Sequence, residues 1–452
     1  KSEETPNYFP INKTWTTEQI IENLPYSLTG AQLNTWHEIE RDMSGQALMS
    51  RLVQGDVGSG KTIIAFLAMI LACENGYQAA LMAPTEVLAR QHYDGFLRLQ
   101  KEQGLNFHVV LLTGSNTARE KREIYQQIAS GEAQIIIGTH ALIQEKVEYH
   151  DLALVVTDEQ HRFGVKQRES LSKKGMTPHM LVMSATPIPR TLAMILYGNM
   201  QISAIHELPA DRIPIKTCVI KEDLRKKAYK MIGRELAGGH QAYIICPLVE
   251  ASEQTEAENV TDYVERIRPI FGAQVSIAAL HGKMPPKEKN AIMQAFAEGK
   301  TQILVSTTVV EVGVNVPNAT LIMIEDANRF GLAQLHQLRG RVGRGKWQSY
   351  CILMDKSKGK KMTDRLEVMH KSNDGFFIAQ EDLRLRGPGD FFGIRQSGEL
   401  GFRLADIIGD ADLLQKASQD VADFLKEDES LENYPAIRKN LSSFASNNNM
   451  IL

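Results

Sequence analysis

The 452-residue sequence is short of several things that would have placed it quickly. It has only four cysteines, Cys73, Cys218, Cys246 and Cys351, far apart and mostly in apolar runs. No CxxC pair or His/Cys cluster has metal-ligand spacing, so the expectation is reduced core thiols in a cytosolic protein. It has almost no net charge, since 51 Lys+Arg against 54 Asp+Glu leave −3. That excludes a globally basic protein coating nucleic acid but leaves room for a local basic track. It has no apolar run of the ~18 residues that a membrane span needs; the longest candidates, such as Ile63–Ala72, fall short. No basic segment leading into an apolar one opens the chain, so nothing signals secretion. A 43% hydrophobic content is enough for large cores, and the scattered glycines are not those of a fibre. At ~150 residues per domain, the length suggests about three domains.

What is present is alternation. Short β-branched apolar runs, among them Met49–Gln54, Ala79–Ala83, His108–Thr113, Gln134–Gly138, Leu152–Thr157 and Met180–Ser184, are separated by amphipathic stretches such as Glu86–Gln100 and Thr117–Ala129. A second series repeats the pattern at Ala242–Cys246, Val275–Leu280, Gln302–Thr307, Thr320–Ile324 and Ser349–Met354. Continuous apolar strands alternating with helices indicate an α/β fold with parallel sheets covered on both faces. The two prolines of Glu207–Lys216 suit a linker, and a second composition shift follows Asp355 with the lysine run Lys356–Lys361. The expected division is a first lobe over 1–210, a second over 211–355 and a C-terminal helical segment over 356–452.

The strongest chemical signal is Gly55-Asp56-Val57-Gly58-Ser59-Gly60-Lys61-Thr62, a GxxxxGK[ST] loop between a strand and a helix. Glycines there let backbone N–H groups close around phosphate oxygens, and the helix N-terminus adds positive potential. Lys61 is expected to reach the β- and γ-phosphates of ATP, and Thr62 to ligate Mg²⁺. The strand Leu152–Thr157 runs into Asp158-Glu159-Gln160-His161. Such a pair is often a solvated turn; beside a phosphate loop, Asp158 is expected to hold Mg²⁺ and Glu159 to activate water. Ser184-Ala185-Thr186-Pro187 closes another strand, with hydroxyls suited to the Asp158 loop. Upstream, the carboxamide of Gln32 suits an adenine edge.

Gln337-Leu338-Arg339-Gly340-Arg341-Val342-Gly343-Arg344-Gly345 fits QxxGRxGR. Its spacing suggests Arg341 and Arg344 as arginine fingers facing the γ-phosphate across a cleft; Gln337 joins the candidate catalytic set, and the alternative of a basic surface loop on nucleic-acid phosphate weighs more for Arg339 than for those two. In Ser306–Pro317, Thr307 is a candidate nucleic-acid contact, and Gly313 and Asn315 are candidates for lining the nucleotide cleft. His281 after the Val275–Leu280 run is a candidate phosphate contact. Arginines between Arg384 and Arg403, with flexible glycines, suit duplex phosphates.

Taken in order, GDVGSGKT, APTEVLARQ, GTHAL, DEQH, SATP and QLRGRVGRG resemble the superfamily 2 helicases. DEQHRFGVKQR, MSATPIPRTLAM and DLRLRGPGDFFGIRQSG narrow the resemblance to the RecG-type ATP-dependent DNA helicases, from about Leu24 to Leu414. The resemblance implies two RecA-like P-loop NTPase lobes and a C-terminal helical hairpin that couples hydrolysis to DNA movement, with Arg384, Arg386, Arg395 and Gln396 in that role. It implies ATP and Mg²⁺, branched double-stranded DNA as substrate, single-stranded-DNA-binding protein as a candidate partner, and a cytoplasmic, bacterial-type monomer away from membranes. That family carries an N-terminal OB-type wedge domain. The chain opens on Lys1, and the stretch before Leu24 is too short for a wedge, so a helicase core without it is the expectation. Two alternatives stay open: a transcription-repair coupling translocase, which shares the HRFGV element, and a nucleotide-gated DNA-binding switch without turnover. The DEQH spelling weighs against the first, and the presence of Lys61, Glu159, Arg341 and Arg344 against the second. The Asp382–Gly398 segment disfavours a helicase acting on RNA.

Overall fold

Two all-parallel sheets organise the chain in this computed structural model. It describes residues 7–158, 177–185, 187, 200–207, 212–247, 252–307, 316–357 and 363–386, scattered positions from 413 to 428, and 431–447. The first sheet contains β1 (Ser50–Gly55), β2 (Gln78–Met82), β3 (Val109–Leu112), β4 (Ile135–Gly138), β5 (Leu152–Asp158), β6 (His179–Ser184) and β7 (Gln201–Ile205), in the order β3-β4-β2-β5-β6-β1-β7. The second contains β8 (Lys216–Ile220), β9 (Gln241–Ile245), β10 (Ile277–Leu280), β11 (Ile303–Ser306), β12 (Ala319–Ile324) and β13 (Tyr350–Met354), in the order β10-β11-β9-β12-β13-β8.

The apolar runs read from the sequence fall on these strands, but β7 and β8 were not among them. Among the described residues both are edge strands, β7 pairing with β1 and β8 with β13. Gln201 and Lys216 are exposed and the residues after them are mostly half-buried, so neither strand shows a continuous apolar run. β8 also begins inside the proline-bearing stretch read as a linker.

In the first lobe the helices are α1 (Trp15–Asn23), α2 (Gly30–Met43), α3 (Lys61–Glu74), α4 (Glu86–Gln103) and α5 (Ala118–Ala129). α3 is unusual in being apolar all round: every residue from Ile63 to Cys73 is buried. A surface helix needs one apolar stripe, whereas one covered on both sides needs apolar residues everywhere. Here α1 and α2 cover the face turned away from the sheet, contributing Ile20, Trp36 and Ile39 to the core that holds α3. α2 is in turn pinned to the sheet by Arg51 of β1. That buried guanidinium pairs with Glu38 (2.8 Å) and Asp42 (2.6 Å) of α2 and donates to Ser203 of β7.

The second lobe adds α6 (Arg225–Ala237), α7 (Ser252–Phe271), α8 (Pro286–Ala297) and α9 (Leu332–Arg339). Beyond it, α10 (Asp364–Lys371) and α11 (Gly375–Arg386) both pack on α9, and α12 covers Pro435–Asn447. All four cysteines are free; Cys73, Cys246 and Cys351 are buried and Cys218 is half-buried. Burial pushes the thiols of Cys246 and Cys351 up to about 12, which makes them poor nucleophiles. Among the described residues, no helix is long and apolar enough to cross a membrane.

One buried titratable group gives the fold a pH dependence. His179, at the start of β6, is fully enclosed, and its Nδ1 accepts the Met49 N–H at 3.0 Å. Burial lowers its pKa to about 4. The unfolded chain therefore binds a proton near pH 6.5 that the folded chain refuses until about pH 4. The contribution is complete above pH ~6.5 and is lost as pH falls towards 4, up to ~3 kcal/mol at ~1.4 kcal/mol per unit. Denaturant unfolding between pH 7 and 4 is expected to show this slope, and His179→Asn, which keeps an acceptor without the titration, is expected to flatten it.

Candidate nucleotide site and lobe interface

Parallel strands place their carboxyl ends on one edge, where α/β proteins bind ligands. In the first lobe, register brings three motif ends side by side. Gln54 pairs with Ser184, and Met183 with Asp158, so Gly55, Ser184 and Asp158 share that edge. From Gly55 the chain turns through Asp56–Gly60 into α3. Gly58 and Gly60 have φ of 78° and 79°, and a Cβ on Gly60 would collide with the Gln32 carboxamide. Glycine is needed there both for the left-handed backbone and for the close approach. The loop ends on the N-terminus of an enclosed helix whose first N–H groups have no intrahelical partner, a ready anion site.

Lys61 Nζ donates to the carbonyl oxygens of Gly55 (2.7 Å) and Asp56 (2.8 Å), inside the loop it serves. Gln32, expected at an adenine edge, is 3% exposed and turned towards the protein. Its Oε1 accepts the Thr29 N–H in a capping box, and its Nε2 donates to Ser59 O at 2.8 Å. It thereby fastens α2 to the phosphate loop.

The loop also meets the second lobe. The Asp56 carboxylate accepts from His336 Nε2 of α9 at 2.6 Å. A Cβ on Gly340 would stand 2.9 Å from Cβ of Val57, and one on Gly375 would stand 2.7 Å from His336 Nε2. The glycine of the QxxGRxGR segment thus lies directly on the phosphate loop. Burial opposes the Asp56 charge, but hydrogen bonds from His336 and the Val57 N–H, with the Arg212 charge nearby, outweigh it and hold the carboxyl below its ordinary range.

Behind His336 stands Arg339. Its Nη2 donates to His336 Nδ1 at 3.1 Å, which leaves His336 Nε2–H to donate to Asp56. Arg339 Nη1 donates to the carbonyls of Met369 (2.9 Å) and Ser372 (2.8 Å), at the corner between α10 and α11. Arg339 is 2% exposed, so the reading of it as a surface residue is corrected: its guanidinium is a buried clamp. On the same corner, Phe376 lies against His206 beyond β7, with ring centroids 4.0 Å apart.

The remaining candidates divide by location. Arg341 is buried, and Arg344 Nε donates to Gly340 O at 3.0 Å. Gln337 sits half-buried on α9. Thr307 is enclosed at the carboxyl end of β11, one residue beyond the Leu280–Ser306 pair, with His281 directly after β10. Arg384, on the exposed face of α11, pairs with Glu381 at 2.8 Å. Glu159, Gly313, Asn315, Arg395, Gln396 and the Arg386 side chain lie outside the described residues.

Three residues were missed by sequence reasoning, the first of them His336. Arg212, in the proline-bearing stretch after β7, donates to the Val57 carbonyl. His92 of α4 reaches Asp158 Oδ2 with Nε2 at 2.7 Å. Nothing marked Arg212; His92 follows directly on APTEVLARQ.

The donor chemistry suits Mg²⁺. Thr62 and Asp158 offer hard oxygens, and a Mg²⁺ ion takes one or two protein ligands and fills its shell with water and phosphate. Among the described residues no group of three or more His, Cys, Asp or Glu could form a metal cage of its own.

These features define a class: a two-lobed P-loop NTPase core of the superfamily 2 helicase type. Family models agree along the chain: DEAD/DEAH box helicase over 29–195, helicase conserved C-terminal domain over 223–346, and ATP-dependent DNA helicase RecG, domain 3, C-terminal, over 372–448. The chain is 48% identical over 421 residues to the ATP-dependent DNA helicase RecG of Bacillus subtilis, covering 92% of this chain and 61% of that protein. It is 50% identical over 425 residues to RecG of Synechocystis, covering 93% and 50%. A solved structure of RecG bound to a three-way DNA junction superposes with a TM-score of 0.76 at 41% identity, covering 90% of this chain and 53% of that one. The chain belongs to the RecG-type ATP-dependent DNA helicases, and spans half to three fifths of the length of these curated relatives.

Charge-assisted hydrogen bonds in enclosed sites are worth ~1.5–3 kcal/mol. A double-mutant cycle of Asp56→Asn and His336→Ala, read by thermal unfolding, is expected to return a coupling of that order. Because the folded pKa of Asp56 is lowered, this coupling is complete above the ordinary carboxylate range and disappears as pH falls through the lowered value.

Proposed function

We propose that this chain is the motor of an ATP-dependent DNA helicase that moves on duplex DNA and remodels branched molecules, such as stalled forks and Holliday junctions, in recombination and repair. The observation that carries the reading is the seat of Gly340 and His336 on the phosphate loop, with Arg339 rooted in the α10–α11 corner. A change at the phosphates is then felt on the second lobe and on the C-terminal segment together.

In this reading the loop N–H groups and the α3 terminus receive the phosphates of ATP, and Lys61 swings from the loop carbonyls to the β- and γ-phosphates. Thr62 and Asp158 hold Mg²⁺, which when bound neutralises phosphate charge. Glu159 orients and deprotonates the attacking water. Gln337, Arg341 and Arg344 answer the charge that develops at the γ-phosphate, and Gly313 and Asn315 line the cleft. Closure and reopening of the lobes step His281, Thr307 and the arginines Arg384, Arg386 and Arg395, with Gln396, along the duplex. The motor acts as a cytoplasmic monomer, with single-stranded-DNA-binding protein as a candidate partner.

The decisive measurement is ATP hydrolysis with and without a three-way junction. The wild-type chain is expected to be stimulated by the junction, and Glu159→Gln to bind nucleotide without turnover. Arg341→Ala is expected to lose ~10³–10⁵ in rate. A wild-type chain that binds the junction but hydrolyses no ATP under any condition would leave a switch and not a motor.

A further inference from the structure

Asp158 ends β5 beside a histidine that its own motif does not include. His92 lies in the second turn of α4, with Nε2 2.7 Å from Asp158 Oδ2. Both side chains are enclosed, at 7% and 14% exposure. The imidazole ring is met edge-on by Phe66, with centroids 6.4 Å apart and planes at 83°, and Phe66 is braced edge-on by Phe96 at 5.1 Å. Phe66 belongs to α3, which starts at Lys61. The histidine therefore stands where the phosphate-loop helix, the aspartate strand and α4 converge. An acidic acceptor requires that Nε2 carry the proton, and the packed ring fixes the direction of that N–H.

A carboxylate with two rotatable bonds makes a poor metal seat unless something stops its rotation, and a neighbour that orients a ligand commonly governs metal affinity. We infer that His92 is a positioning residue for the Mg²⁺-holding carboxylate of Asp158, its Nε2–H holding the rotamer of that carboxylate beside the phosphate loop. α4 carries this constraint further, because its Val87 packs against the core of the second lobe and Glu86 accepts a hydrogen bond from Asn290 of α8. The seat of the ion is thereby tied to the helix that meets the other lobe.

This inference rests on the proposed Mg²⁺–ATP site, and its test separates the two. Two variants divide the side chain: His92→Phe keeps a ring against Phe66 and removes the donor, whereas His92→Gln keeps an amide N–H at similar reach and removes the ring. The readout is affinity for a fluorescent ATP analogue, in EDTA and across a Mg²⁺ titration, with thermal melting to confirm folding. His92→Phe is expected to raise the Mg²⁺ concentration at half-maximal binding ~10–100-fold with affinity in EDTA unchanged, and His92→Gln to stay near wild type. His92→Ala replaces the Phe variant if that ring is not accommodated. The inference is overturned if neither variant moves the Mg²⁺ midpoint, if both move it equally, if the Gln variant moves it more, or if affinity falls alike with and without Mg²⁺. Wild-type binding that ignores Mg²⁺ would instead remove the underlying site.

Discussion

The carboxylate of Asp56 sits at the mouth of the phosphate loop, and the rest of the interface is arranged around it. It accepts from an imidazole on the other lobe, lies beside Gly375 of the C-terminal segment and feels the guanidinium of Arg212. A buried charge is tolerated only when it is paired and hydrogen-bonded, so these partners are held where the carboxylate needs them. The requirement explains why His336 adopts the Nε2–H tautomer and why Arg339 behind it is buried. Arg339 in turn donates to the Met369 and Ser372 carbonyls at the α10–α11 corner and to the Thr217 hydroxyl, so its buried guanidinium is hydrogen-bonded.

Around this contact each lobe is stabilised by itself. The first lobe encloses α3 between its sheet and α1 and α2, and locks α2 with the Arg51 pairs. The second lobe carries its own buried ion network, in which Arg225 holds Glu325 while the Tyr263 hydroxyl donates to the same carboxylate at 2.5 Å. By contrast, the exposed pairs of α11 and α5, Arg384–Glu381 and Arg119–Glu123, contribute little to stability.

The sheets, their parallel sense and the phosphate loop were legible in the sequence because each rests on local order. A buried parallel strand is a continuous apolar run, and GxxxxGKT is a single backbone geometry. The edge strands β7 and β8 escaped because they begin on exposed residues and are mostly half-buried after them, whereas the edge strands β3 and β10 kept a readable apolar run. The polar ties escaped for a different reason. Arg212, His92, His336 and the true place of Arg339 depend on partners 155, 66, 280 and 33 residues away along the chain. No periodicity encodes such a pairing. Gln32 was read as suited to an adenine edge, whereas its carboxamide is held by a helix cap and a backbone carbonyl of the phosphate loop.

The enclosure of α3 bears on how the molecule divides its labour. A helix gripped on every side cannot tilt or slide without opening a core, and the phosphate loop is its immediate extension. In the motor proposed above, the first lobe would then serve as the anvil, and any displacement generated at the loop would appear as travel of the opposite sheet and of the corner clamped to it by Arg339.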